Sequence, residues 1–145
     1  MKFLVINGPN LNLLGQRDPE QYGSGTYDEL CKLISAHAAA QQDAVDFFQS
    51  NHEGAIIDTI QQARGRFDGI VINPGAYAHY SYAIHDALLD SPVPAVEVHI
   101  SDIKSRDPWR RVSVTAPACA AMVAGHGFAG YREAMDLLKE GTHHA

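Results

Sequence analysis

With 145 residues, 46% of them hydrophobic, the chain is the size of one ordinary domain with one sizeable core, and a two-domain reading is unnecessary. Its formal charge of −6 excludes a general nucleic-acid binder, which needs a clustered surplus of Lys and Arg to neutralise phosphates. Two cysteines, Cys31 and Cys119, are too few and too far apart for a disulfide framework or a metal clip, and no run approaches the roughly 20 apolar residues that span a bilayer.

The apolar run at 2–6 reads as a buried strand, and a glycine-bounded loop from Asn7 to Gly25 follows it. Thr26 with Glu29 forms a capping-box pattern, and Leu30, Leu33 and Ile34 then recur at helical spacing, which predicts the first helix. Further β-rich runs stand at 44–49, 69–73, 95–100 and 112–115. A second helix is predicted from near Asn51, with Ile56, Ile60 and Ala63 on its inner face. A third is predicted from near His79, with Ala83, Ile84, Ala87 and Leu88 inward, and Pro92 and Pro94 stop it. After the fifth strand, small residues over 118–123 lead through Gly125, Gly127 and Gly130 into a last amphipathic helix carrying Tyr131, Ala134, Met135 and Leu138. Strands alternating with helices mark successive βαβ units and a parallel sheet covered on both faces. The pattern fits one flavodoxin-like, doubly wound α/β domain over 1–145, a five-stranded parallel sheet of order 2-1-3-4-5. Ligands bind such a sheet in the crevice at the strands' carboxyl ends, here those of strands one, three and four.

Three loops reach that crevice: NGPNLNLLGQRDPEQYG (7–23), NPGAYAHYS (73–81) and EVHISDIKSRDPWRR (97–111). In the first, Arg17 and Tyr22 stand five residues apart, a pairing that can make a tyrosinate base. A phenol in water releases its proton only at about pH 10, so a tyrosine base at neutral pH needs roughly 4 kcal/mol of preferential phenolate stabilisation. One guanidinium about 4 Å away supplies around 4 kcal/mol at an effective dielectric near 20. Burial opposes the phenolate, so a second cation helps. Taken alone, Arg17 and Tyr22 read as a solvated turn, Asn10 as an Asx turn after Pro9, and His79 as a helix cap. Glu97 and His99 lie two apart on a strand and so share a face, where a carboxylate orients an imidazole and supports its protonated form. His52 and Glu53 are adjacent rather than at helical ligand spacing, so no metal site is expected there.

These loops, with QSNHEGAIID (49–58) and GHGFAGYREAMDLL (125–138), resemble the type II 3-dehydroquinases, or 3-dehydroquinate dehydratases, through nearly the whole chain. The resemblance implies a cofactor-free anti elimination of water from 3-dehydroquinate, a cyclic keto acid of the shikimate pathway, through an enolate to 3-dehydroshikimate. It implies Tyr22 as the general base, Arg17 as its activator and lid residue, His99 as the general acid and Asn10 as the holder of a water against the enolate oxygen. Asn73, His79 and Arg110 correspond to residues that bind substrate hydroxyls, and Ser101 with the Ile100 amide to the carboxylate-binding loop. Arg110 is also the expected second cation near Tyr22; Arg106 matches a position that closes the site, but singly it and Arg111 read as surface charges, and Arg110 is preferred. Asp86 falls where the family sends an acidic residue across a subunit interface. A homo-oligomer of trimers grouped into a dodecamer is expected on the same ground, with neither nucleic acid nor membrane as partner. The N-terminus lacks the cleavage pattern of a signal peptide, so the expected address is the cytoplasm. The chain departs from the usual pattern at His85 for Arg and Tyr80 for Thr, both on the intersubunit contact, and at Asp102 for Asn, Trp109 for Phe and Val112 for His.

Other chemistries compete. A Schiff-base dehydratase needs a buried lysine, and of Lys2, Lys32, Lys104 and Lys139 only Lys104 nears a pocket motif. A flavodoxin-like FMN-binding electron-transfer module shares the fold, and the SGT run at 24–26 opens a helix as a phosphate loop would. A hydrolase is weaker, since there is no GxSxG elbow.

Overall fold

A computed structural model describes residues 1–141. Strands β1 (Lys2–Asn7), β2 (Ala44–Gln49), β3 (Gly69–Asn73), β4 (Ala95–His99) and β5 (Ala121–Ala124) form one parallel sheet of order β2-β1-β3-β4-β5, as the βαβ pattern predicts. Side chains alternate across it, because successive residues of a strand face opposite sides. Phe3 and Val5 pack with Leu30, Ile34 and Met135 on one face. Leu4 and Ile6 pack with Ile56, Ile60, Ile84 and Leu88 on the other. The first layer is closed by α2 (Tyr27–Ala40) and α5 (Ala129–Gly141), the second by α3 (Glu53–Gln62) and α4 (Tyr82–Asp90); a short α1 (Pro19–Tyr22) sits within the first loop. Among the described residues no helix is long and apolar enough to cross a membrane.

Local chemistry sets the helix starts. Thr26 Oγ1 accepts from the Glu29 amide at 3.1 Å, so the hydroxyl of the SGT run caps α2. Asp18 caps α1 through the Glu20 amide at 3.0 Å, with Pro19 in the first turn, so a helical turn stands within the expected loop 7–25. The third predicted helix begins later than expected: Ser81 Oγ accepts from the Ile84 amide at 3.1 Å, while His79 ends a 3-10 turn over Gly75–His79 and caps nothing. Ala83 is exposed, while Ile84 and Leu88 are buried and Ala87 packs against the same cluster.

The expected fifth strand at 112–115 is a correction. Those residues form a loop, a 3-10 turn over Ala116–Ala118 with Pro117 follows, and the strand that pairs with β4 is Ala121–Ala124. Val112 is 61% exposed, whereas Thr115 is fully buried through a polar contact described below.

The carboxyl ends of β1 and β3 are drawn close together. Asn7 and Asn73 are register partners, and the Gly8 amide donates to the Asn73 carbonyl at 2.8 Å. A Cβ at Gly8 would lie 2.4 Å from the Pro74 carbonyl oxygen, so only glycine lets the two loops approach this closely.

Candidate active site

The loops after β1, β3 and β4 enclose a cavity of about 80 Å³. It is lined by Asn10, Arg17, Tyr22, Asn73, His79, His99, Ile100, Ser101 and Arg110, together with Pro9, Leu11, Gly75, Ala76, Ile103 and Arg106. Nine of the ten predicted site residues therefore meet in one place, and no lysine lines it. Asp86 is the exception: it lies exposed on α4, away from the cavity. Lys104 lines a separate hollow beside β5 and α5.

Tyr22 lines the cavity with two cations on its phenol oxygen. Arg17 Nη2 donates to it at 3.0 Å and Arg106 Nη1 at 2.7 Å. Arg17 also stacks on the ring, its Cζ 3.9 Å from the centroid. The second cation is thus Arg106, not Arg110 as expected. Arg106 bridges further to Ser101 Oγ at 3.2 Å, tying the first loop to the strand-four loop. Arg110 lines the cavity, stacks on Trp109 at 4.0 Å and pairs its buried Nε with Asp107 Oδ2 at 3.7 Å, too long for a hydrogen bond.

At the end of β4, His99 Nε2 meets Glu97 Oε2 at 2.7 Å. Glu97 is fully buried, and a buried carboxylate is tolerable only when donors surround it. Ser113 Oγ donates to the same oxygen, and Thr115 Oγ1 supplies the other oxygen, Oε1. The loop mistaken for a strand is the hydroxyl shell of this carboxylate. His79 stacks parallel to His99 at 6.3 Å and meets Trp109 edge-on at 5.4 Å. Burial pushes the His79 imidazole below its ordinary range against the Val112 carbonyl's opposing pull, and the charges of His99 and Arg110 lower it further. Neutral His79 therefore donates from Nδ1 to the Val112 carbonyl at 2.8 Å and presents Nε2 as an acceptor.

Behind Ile100 and Ser101, two glycines in the left-handed region hold three successive carbonyls. The Gly125 amide (φ 82°) donates to the carbonyls of His99 at 3.2 Å and Ser101 at 3.0 Å, and the Gly127 amide (φ 59°) to that of Ile100 at 3.2 Å. In a trans peptide the N–H points opposite to the C=O, so the amides of Ile100, Ser101 and Asp102 turn away from the glycine loop. Such a run of amides is suited to a carboxylate.

Asn10 adopts φ 69°, its amide donates to Asn51 Oδ1 at 3.0 Å, and its side chain makes no cap bond to the turn that follows. Asn73 is 4% exposed; its Nδ2 donates to Tyr131 at 3.0 Å and its Oδ1 accepts from the Gly75 amide at 3.1 Å.

The profile of the class II dehydroquinases matches residues 1–139. The chain is 54% identical over 139 residues to the 3-dehydroquinate dehydratase of Clostridium acetobutylicum, covering 96% of each. It is 53% identical over 134 residues to the catabolic 3-dehydroquinase 1 of Aspergillus terreus, covering 92% of this chain and 88% of that one. The crystal structure of the type II dehydroquinase from Butyrivibrio crossotus superposes with a TM-score of 0.94 at 50% identity, over 96% of this chain and 97% of that one. A 3-dehydroquinate dehydratase-like protein from Bifidobacterium longum superposes with a TM-score of 0.69 at 29% identity, over 97% and 96%. With a profile match over almost its whole length and relatives this similar at both levels, the chain belongs to the class II dehydroquinase family.

Proposed function

We infer that the chain is a hydro-lyase that removes water from 3-dehydroquinate to give 3-dehydroshikimate, the shikimate-pathway step for which its bacterial relatives are named. One observation supports this above others: a phenol oxygen under two guanidinium donors shares a cavity with a histidine backed by a buried carboxylate. The pair supplies a base and an acid to one cavity from different segments, Tyr22 from the loop after β1 and His99 from the end of β4, as acid–base elimination needs.

In this reading Tyr22, as phenolate, takes the proton from the carbon beside the ketone, and the bonding electrons move onto the carbonyl oxygen as an enolate. Asn10 stabilises that oxygen through a water. The enolate then collapses, its electrons form the carbon–carbon double bond, and the neighbouring C–O bond breaks. His99 delivers a proton to the departing hydroxyl, which leaves as water, and Glu97 steadies the histidine through the transfer. Asn73, the His79 Nε2 acceptor and Arg110 bind substrate hydroxyls, while Ser101 and the Ile100 amide hold the carboxylate. The reaction is redox-neutral and needs no cofactor. The FMN alternative, which rested on the SGT run at 24–26 opening α2, finds no support, since the chain's relatives are dehydroquinases.

The proposal extends to assembly and place. A trimer-based dodecamer in the cytoplasm fits the resemblance, with exposed Asp86 on α4 reaching a neighbour's site. Incubation with 3-dehydroquinate is expected to produce the ultraviolet absorbance of a conjugated enone. Tyr22→Phe should keep the fold and largely abolish that signal; a near-normal rate would remove the base and with it this mechanism.

A further inference from the structure

We infer that Tyr131 is a positioning residue for substrate binding: its buried hydroxyl sets the Asn73 amide for its role in the cavity. The inference rests on the dehydratase reading above. On α5 the neighbours of Tyr131 on the inward face, Ala134, Met135 and Leu138, are apolar, and Tyr131 itself is completely buried. A phenylalanine would fill the same space, so the oxygen needs its own reason, since a buried hydroxyl is costly unless bonded.

That oxygen is bonded twice. It donates to Asn7 Oδ1 at 2.6 Å and accepts from Asn73 Nδ2 at 3.0 Å. Burial pushes the phenol above its ordinary range, so it remains a neutral donor. One atom from the last helix thereby joins the carboxyl ends of β1 and β3, at two residues that are register partners. Asn73 is fixed from the other side as well, because its Oδ1 accepts from the Gly75 amide at 3.1 Å. With both ends of the amide held, its orientation is settled before any ligand arrives, and one Nδ2 proton is left for a group in the cavity that Asn73 lines. Tyr131 does not line the cavity and acts only through its partners.

The test is a double-mutant cycle with 3-dehydroquinate as the probe. Tyr131→Phe should raise KM about tenfold while kcat stays within about twofold, since the loss is one of preorganised binding. In an Asn73→Ala background the same substitution should change KM by less than about twofold, because the group it orients is gone. Ile60→Val, a core change on the opposite face of the sheet, controls for stability: it should lower Tm without moving KM. Unchanged KM in Tyr131→Phe, with wild type active, would overturn the inference alone. So would a KM effect that persists in full without the Asn73 amide. A wild type that leaves 3-dehydroquinate untouched would overturn the dehydratase reading, and this inference with it.

Discussion

Replacing Arg106 by Met tests the electrostatics of the base directly. Its Nη1 lies 2.7 Å from the Tyr22 oxygen, closer than the 3.0 Å of Arg17. A unit charge about 4 Å from the phenolate contributes around 4 kcal/mol at an effective dielectric near 20. Tyr22 and both arginines are only part-buried, and solvent screening brings this nearer to about 2 kcal/mol. At about 1.4 kcal/mol per factor of ten, Arg106→Met should lower kcat/KM about thirtyfold. KM should rise too, because Arg106 also holds Ser101 Oγ at 3.2 Å. Arg106→Lys keeps the charge but loses the planar fork and should fall between. Arg17→Met should cost a similar factor, and the double variant less than the product, since both guanidiniums serve one oxygen. Steady-state rates from the enone absorbance, with circular dichroism to certify folding, give the measurement. The reasoning is refuted if Arg106→Met keeps kcat/KM within about threefold of wild type while Arg110→Met abolishes kcat, for Arg110 would then be the cation that activates Tyr22.

Three further outcomes are expected. Thr115→Val strips Glu97 Oε1 of its hydroxyl donor and should lower kcat about tenfold with little change in KM, Thr115→Ser restoring most of it; steady-state kinetics decide, and an unchanged kcat would show that Ser113 and His99 alone fix the carboxylate. Gly125→Ala puts a Cβ 3.1 Å from that of Asp102 at φ 82°, so the carbonyl clamp on residues 99–101 must shift, and KM should rise about tenfold more than kcat falls. Asp43→Asn probes acid stability: burial pushes the Asp43 carboxyl up, but the Lys139 hydrogen bond and the Met1 ammonium outweigh it and hold it below the usual carboxylate range. A lowered folded-state value stabilises above the unfolded carboxyl's pKa and is lost as pH falls through the folded one, so the variant should be less stable by about 2 kcal/mol at pH 7, and the gap should close below about pH 4, as thermal melts across pH would read.

Much of the site was legible because its members are close in sequence. Arg17 and Tyr22 are separated by five positions and Glu97 and His99 by two, so spacing alone suggested that each pair meets. Thr26 and Glu29 revealed a helix start by the same logic. The alternation of five strands with helices in this length pointed to the flavodoxin-like sheet order, because βαβ crossovers leave few topologies open. What spacing could not reveal were the contacts made across the fold. Arg106 reaches Tyr22 over 84 positions and Tyr131 reaches Asn7 over 124, and each side chain, met singly, is an ordinary surface arginine or core aromatic.

The misplaced fifth strand and the overlooked carboxylate shell are one error. Val112, Ser113, Val114 and Thr115 alternate apolar with hydroxylated residues, and period-two alternation is the mark of a strand with one buried face. Here the alternation has another cause. Glu97 is buried on an interior strand and needs hydrogen-bond donors for both of its oxygens. Ser113 and Thr115 turn to it, the Val112 and Val114 carbonyls bind His79 and His85, and the Val112 side chain is left in solvent. A carboxylate on an interior strand is therefore the signal that could have exposed the segment. The charge must find partners within the fold, and hydroxyls two apart on a nearby loop can supply both of its oxygens.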